Sequence, residues 1–335
     1  MGHMNEFSPL QIGNVKTAGP AVLAPMAGIT DAPFRKVVAR FGAGMVVSEM
    51  VASASLTTGQ AEMVRRLEKT GGLPHIVQLA GNEVDWMVRG AKIAADAGAD
   101  VIDINLGCPA KRVTNGYAGC ALMRQPDFAL ELIEAVLGEV DLPVTVKMRL
   151  GWDDDTLNAA ELAARAEAAG VNLVTVHGRT RQQFYKGAAR WEPVRDVVNA
   201  VTIPVLVNGD IIDLLSARIA LEKSEAAGVM IGRGAQGRPW IVGQISAALM
   251  GLPLPRAPEG VELADLIAEH YSDILSHHGR ELGIRVARKH VGWYLEENLP
   301  EHSTLWRKSI LTSLDPHHVL REIRAAFVDA EQEAA

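Results

Sequence analysis

The chain has 335 residues, of which 48% are hydrophobic, 5% aromatic and 22% charged, with a formal net charge of −7. This is ample for a core built from Val, Ile, Leu and Ala, and long enough for about two domains or for one barrel with an appendage. Two cysteines, Cys108 and Cys120, exclude a disulfide framework and lack metal-site spacing, and the acidic balance excludes a chain that coats nucleic acid uniformly.

Residues 1–8 show no cationic start followed by an apolar stretch, so no signal peptide is expected. The second methionine, Met4, marks the first three residues as an appended remnant, and the rest is lead-in. No run is long and apolar enough for a membrane span, and a cytoplasmic location follows from that and from the cysteine usage.

Eight short apolar, β-branched segments then recur: AVLAPMAG (21–28), MVVSEM (45–50), HIVQLAG (75–81), VIDINLGCP (101–109), VTVKMRLGW (144–152), LVTVHGRT (173–180), PVLVNGD (204–210) and GVMIGRG (228–234). Such runs suit strands buried on both faces, as in a parallel sheet. Helical patterns lie between them at 31–41, 83–98, 126–140, 156–170 and 213–223, and two end in Gly98 and Gly170, a common helix stop. Strand alternating with helix eight times predicts an α/β fold, a closed (β/α)8 TIM barrel over residues 9–250, with an open doubly wound sheet as the alternative. Residues 251–260, GLPLPRAPEG, hold three prolines and two glycines and read as a linker. Residues 261–335 read as helices without strands, a small helical domain.

Each strand ends in polar or glycine-rich residues, and a barrel gathers all its strand C-termini on one face. Loops seven and eight, Asn208-Gly209-Asp210 and Gly232-Arg233-Gly234, suit a phosphate: glycine lets backbone N–H groups approach, and Arg233 can grip two oxygens. Tight turns alone would also explain the glycines. GRGAQG (232–237) matches the dinucleotide pattern G-x-G-x-x-G, but no further strand follows it, so that reading is rejected. Lys147 sits among apolar neighbours near a strand end and needs an electron-rich partner or a salt bridge. His177 suits a phosphate, ring oxygens or proton delivery, or is simply a satisfied polar residue. Gln78 both donates and accepts, which suits a heterocycle edge. Cys108, at the end of its strand, is placed to give a proton to a substrate over a flat cofactor, whereas Cys120 reads as packing.

Basic residues cluster elsewhere. Over 277–293, Arg280, Arg285, Arg288 and Lys289 stand against one acid, Glu281. Helical spacing puts Arg285, Arg288 and Lys289 on one face, either a footprint for phosphates or a solvated helix face. Lys111, Arg112, Arg179, Arg181 and Lys186 extend such a footprint around the barrel mouth.

Together, APMAGITDAPFR, VQLAG, DINLGCPAKRV, VKMRLGW, HGRTR, NGDI, IGRGAQGRPWI and RVARKHVGWYL resemble the bacterial tRNA-dihydrouridine synthases, and most closely their B-type subfamily, over residues about 9–330. The resemblance implies a barrel that holds FMN and a C-terminal helical domain that helps to bind tRNA. It places Pro25, Met26 and Ala27 along the isoalloxazine, Gln78 and Lys147 at its polar edge and His177 against the flavin. Asn208, Gly209, Asp210, Gly232 and Arg233 would take the ribityl chain and phosphate, and Asn105 would join the basic residues in contacting tRNA. It further implies that NADPH (or NADH) reduces the flavin, that hydride passes from N5 to C6 of an extruded D-loop uridine, and that Cys108 protonates C5. A monomer without an obligate protein partner is expected. A flavin barrel acting on a free pyrimidine, an RNA-binding module on a degenerate barrel and a phosphosugar enzyme are the rivals. None of them explains the catalytic cysteine and the basic helical domain together.

Overall fold

The computed structural model describes residues 7–110, 118–300 and 303–334. Eight parallel strands form the barrel: β1 (Ala21–Leu23), β2 (Met45–Val47), β3 (His75–Ala80), β4 (Val101–Leu106), β5 (Val144–Arg149), β6 (Leu173–His177), β7 (Val205–Asn208) and β8 (Gly228–Ile231). Consecutive strands pair, and Val229–Ile231 of β8 pairs with Ala21–Leu23 of β1, which closes the ring. Each expected strand segment contains one of these strands.

Around the barrel run α1 (Ala32–Arg40), α2 (Val84–Asp96), α3 (Pro126–Glu139), α4 (Ala159–Ala169), α5 (Val194–Ala200), α6 (Leu214–Ser224) and α7 (Ile241–Leu249). The sequence pattern had not indicated α5 or α7. The seven residues of α5 are too few to show a helical period, and α7 is apolar around most of its girth, with six of nine residues buried. Between β2 and β3 stand a two-residue strand, Val51–Ala52, that pairs with β3, and two short helical pieces, Ser53–Thr57 and Ala61–Arg66.

The strand period of two sorts side chains into two cores. Outward positions such as Leu23, Val46, Val77, Ile104, Val146, Val174, Val207 and Ile231 pack against the helices. Inward positions at the strand starts, Val22, Met45, Ile76, Val101, Leu173, Leu206 and Met230, fill the barrel floor, which Leu10 and Ile12 plug from an N-terminal hairpin. Two and four residues further along, the same inward row turns polar. Gln78 follows Ile76, Asp103 and Asn105 follow Val101, and Thr175 and His177 follow Leu173. An apolar plug thus carries a polar layer at the C-terminal mouth.

After α7, residues 251–259 carry no helix, and four helices follow: α8 (Gly260–His278), α9 (Arg280–Asn298), α10 (Ser303–Thr312) and α11 (Pro316–Ala334). They share a core, Ile267, Tyr271, Ala287, Val291, Leu295 and Ile323 among others, which Val37 of α1 and Trp240 join from the barrel side. Lys36 with Asp273 and Arg40 with Glu269 flank that seam as exposed ion pairs, worth little each. Among the described residues no helix is long and apolar enough to cross a membrane.

Candidate active site

Strand register brings the polar layer together. Gln78 lies opposite Asp103, Asp103 opposite Thr145, Asn105 opposite Lys147, and His177 between Arg149 and Asn208. Asp103, which the sequence reading passed over, lies at the centre. Its carboxylate accepts from Thr145 Oγ1 (2.7 Å) and Gln78 Nε2 (2.6 Å). Burial raises its pKa to about 6, against the hydrogen bonds from Thr145 and Gln78 and the charge of Lys147. The alternation of apolar and polar residues within VIDINL is the signal that marks it.

Gln78 Oε1 accepts from Asn105 Nδ2 at 2.7 Å, and Asn105 Oδ1 accepts from the backbone N–H groups of Gly107 and Cys108 at 3.1 and 2.9 Å. Asn105 therefore holds the Cys108 loop. It is buried and engaged at both ends of its amide. Gln78 is likewise buried and already paired, which leaves little of its amide for a heterocycle. Cys108 is half-buried at the mouth, and its carbonyl accepts from Cys120 N–H at 3.0 Å. Cys120 is fully buried, and burial pushes its thiol up to about 12, consistent with packing.

Lys147 Nζ donates to Asn208 Oδ1 at 3.0 Å. An ammonium has three protons, and among the described residues this is the one acceptor it has. Burial pulls its pKa down to about 8, with the Arg149 charge adding to that and Asp103 opposing it. Asn208 Oδ1 also stands 2.9 Å from His177 Nδ1, while Asn208 Nδ2 donates to the Met230 carbonyl at 2.8 Å and so fixes the amide orientation. Burial, reinforced by Lys147, Arg149 and Arg179, holds His177 well below its ordinary pKa. The ring is neutral, with its proton on Nδ1 toward Asn208, and Nε2 accepts from Arg179 Nη1 at 3.4 Å. Both ring nitrogens of His177 are thus engaged within the β6 and β7 loops.

The phosphate loops divide their labour. Gly209 has φ +116°, and a Cβ there would stand 2.8 Å from Ala189 Cβ, so only glycine turns this corner without strain. The Asp210 carboxylate takes a two-pronged grip from Arg179 (3.0 and 2.6 Å) and the Ala189 N–H (2.8 Å). Arg179 is buried and also donates to the Lys186 and Gly187 carbonyls. It thereby holds the β6 and β7 loops together. Arg233 is exposed, with its guanidinium 3.4 Å from Asp210. Gly232 lies beside Met26, so the β8 loop meets the Pro25-Met26-Ala27 rim of β1. That rim is braced by Thr30 Oγ1, which accepts from Met26 N–H, and by Glu49, which accepts from Gly28 N–H.

Phe184 and Tyr185, also unforeseen, stand exposed in the β6 loop with rings edge to face at 4.6 Å. The Arg149 and Arg233 guanidiniums lie 5.6 and 5.3 Å from the Tyr185 ring centroid. Adjacent aromatics flanked by basic residues in RQQFYKG are the sequence signal. Arg124 and Arg181 similarly bracket the Trp152 ring at 4.9 and 5.0 Å. Lys186 is exposed on the β6 loop, while Lys111 and Arg112 lie outside the described residues.

The basic stripe on α9 divides. Arg285 is exposed, but Arg288 donates to the Thr312 and Ser313 carbonyls at the end of α10, and Lys289 reaches Gly28 O at the barrel rim. The expected single face is corrected: Arg288 caps a helix, Lys289 bridges to the mouth, and Arg285 faces outward.

A dihydrouridine synthase family model matches residues 22–332. The chain is 57% identical, over 97% of its length and 99% of the relative's, to a protein of Rhodobacter capsulatus named "Probable tRNA-dihydrouridine synthase". It is 45% identical, over 86% of each chain, to tRNA-dihydrouridine synthase B of Pseudomonas putida. Among solved structures it is similar in fold to a morphinone reductase mutant in complex with tetrahydroNAD, with a TM-score of 0.52, 16% identity and coverage of 75% of this chain and 92% of that one.

Proposed function

The chain belongs to the dihydrouridine synthase family, and from that premise we propose that it reduces a defined D-loop uridine of tRNA to 5,6-dihydrouridine, with FMN as resident cofactor and NADPH (or NADH) as reductant. The observation that carries this reading is the Lys147 ammonium, buried at the barrel mouth with a single acceptor among the described residues, on the strand next to the one that delivers Cys108.

The residues present fit a flavin. A buried cation with unused N–H donors calls for an electron-rich edge, and Lys147 would meet the flavin's pyrimidine-like side. Gly232 lets the β8 loop come close to Met26 of the Pro25-Met26-Ala27 rim, and Arg233 would grip the phosphate. When bound, FMN supplies the hydride that the nicotinamide cofactor donates and C6 of uracil accepts.

The chain's own residues do the rest. Asn105 holds the loop that carries Cys108, whose thiol holds the proton for C5. The neutral His177 and the Arg179–Asp210 pair hold the β6 and β7 loops without placing an uncompensated charge beside the base. The uridine is extruded from the tRNA at a cost of a few kcal/mol, and Phe184 and Tyr185 offer it or its neighbours a stacking surface. The helical region, residues 261–335, is the tRNA-binding domain in this reading, reached through the 251–260 linker.

Tyr185→Ala is expected to weaken tRNA binding by about 5–150-fold, the 1–3 kcal/mol of one base–aromatic stack, with unchanged flavin content; filter binding and absorbance check the two. Arg285→Gln is expected to lower the slope of log K against log salt by about 0.7–0.9, as for one lost phosphate contact. An unchanged slope would remove α9 from the footprint. The whole reading is tested by incubating the protein with NADPH and tRNA that lacks dihydrouridine, then mapping uridines that gain two hydrogens by mass spectrometry. A gain at one D-loop position is expected; a reducible yellow protein that leaves tRNA unchanged would overturn the substrate and point to free pyrimidines.

A further inference from the structure

Where the helical region meets the barrel, away from the mouth network, three ligand-type side chains converge. Asp31 precedes α1, His270 lies on α8 and His290 on α9. They are 2%, 1% and 2% exposed, and one ligand atom from each lies within 4.8 Å of the other two. The Nε2 atoms of both histidines are buried and have no hydrogen-bond partner among the described residues. A buried polar atom left so costs about 1–3 kcal/mol, and two such atoms facing one carboxylate call for an occupant.

The surroundings fit a metal ion better than a water. His270 Nδ1 stands 3.2 Å from the Tyr294 hydroxyl, and donation there leaves the Nε2 lone pair bare. The Phe34 ring packs against both imidazoles, at 5.8 and 5.1 Å between centroids, and fixes their planes. The Asp31 carboxylate is oriented by the Phe34 N–H at 3.0 Å and by His278 Nε2 at 2.8 Å. A second sphere of this kind is what orients metal ligands. With both Nε2 atoms unprotonated, a water would have two protons for three acceptors, whereas one cation satisfies all three. Burial favours the neutral form of both imidazoles, and against the effect of burial the hydrogen bond from His278 favours the Asp31 carboxylate.

We propose that Asp31, His270 and His290 bind one divalent transition-metal ion of the zinc class, which fastens the helical domain to the barrel. Two imidazoles and a carboxylate suit zinc or cobalt over calcium or magnesium, and burial of all three suits a structural role. The ion would also tether the mouth: Asp31 follows directly on the Met26–Thr30 turn, and Lys289, next to His290, grips Gly28. The inference does not depend on the identity of the substrate.

Chelator-treated full-length protein is titrated with Co2+ and then Zn2+, and the difference spectrum and the thermal midpoint are followed. One equivalent of Co2+ should give ligand-field bands of a low-coordinate nitrogen and oxygen site, displaced by Zn2+, with a higher midpoint in the loaded protein. His270→Gln should weaken Co2+ binding by about 100-fold or more, beyond what loss of an outer-sphere partner costs. Asp31→Asn, which keeps a good helix cap and so folds, should do the same. Absence of stoichiometric Co2+ binding would overturn the proposal, and so would bands that survive in both variants, which would assign the ion to exposed histidines.

Discussion

Cys108→Ala is expected to slow uridine reduction by about 10²–10⁴-fold, the usual worth of a positioned general acid, while flavin content and tRNA affinity stay as they are. The loop is held by its backbone: Asn105 Oδ1 takes the Gly107 and Cys108 N–H groups, and the Cys108 carbonyl takes the Cys120 N–H. Removing the thiol therefore leaves its setting in place. In single turnover, NADPH consumption in the absence of tRNA should be unchanged, and only the tRNA-dependent step should slow. Cys120→Ala is the control, because that thiol is fully buried and pushed up to about 12. It should cost some stability and leave the pH profile of turnover alone. Full activity in Cys108→Ala would remove the thiol from the proton path, and loss of activity in Cys120→Ala instead would exchange their roles.

The barrel was legible because each strand is an unbroken apolar run and each run ends in polar or glycine residues. Fold class needs nothing more than that rhythm. The residues that meet at the mouth were legible by type, because barrel strand ends converge wherever the chain takes them. Their partners were not. Arg179 and Arg233 both follow strand ends, yet Arg179 is sealed against Asp210 and two carbonyls while Arg233 lies open, a difference set by how the β6 loop folds back. Arg288 and Lys289 are neighbours on one helix, and each is claimed by a different element, the end of α10 and the barrel rim. Asp103 escaped notice because a carboxylate inside a strand reads as an exception, whereas the inward row Val101, Asp103, Asn105 makes it part of the polar layer. The pairing of His270 with His290 was hidden for another reason: it exists only once α8 and α9 pack on the start of α1.

Lys147→Met is expected to weaken flavin binding by about 10–150-fold, the 1.5–3 kcal/mol of a hydrogen bond to a charged group, and to change how stability depends on pH. Methionine keeps the length of the side chain and removes its charge. In the flavin-free protein the Lys147 pKa falls from 10.5 to about 8 through burial. Between those values the unfolded chain binds the proton and the folded chain does not, so each step up in pH favours the fold. Stability of the flavin-free protein, measured by urea unfolding, should therefore gain a rising contribution from about pH 8 toward 10.5 that Lys147→Met lacks. Below about pH 8 both states hold the proton, and the burial penalty is present in full. An electron-rich group against the ammonium raises its pKa again, so flavin-loaded protein should show a shallower rise than flavin-free protein. If loaded and flavin-free protein gave the same slope, Lys147 would not face the cofactor, and its charge would serve only Asp103 beneath it and Asn208 beside it. A shallower slope on loading, together with loss of flavin from Lys147→Met, fits one account alone: a cation left short of acceptors by the fold and completed by the flavin.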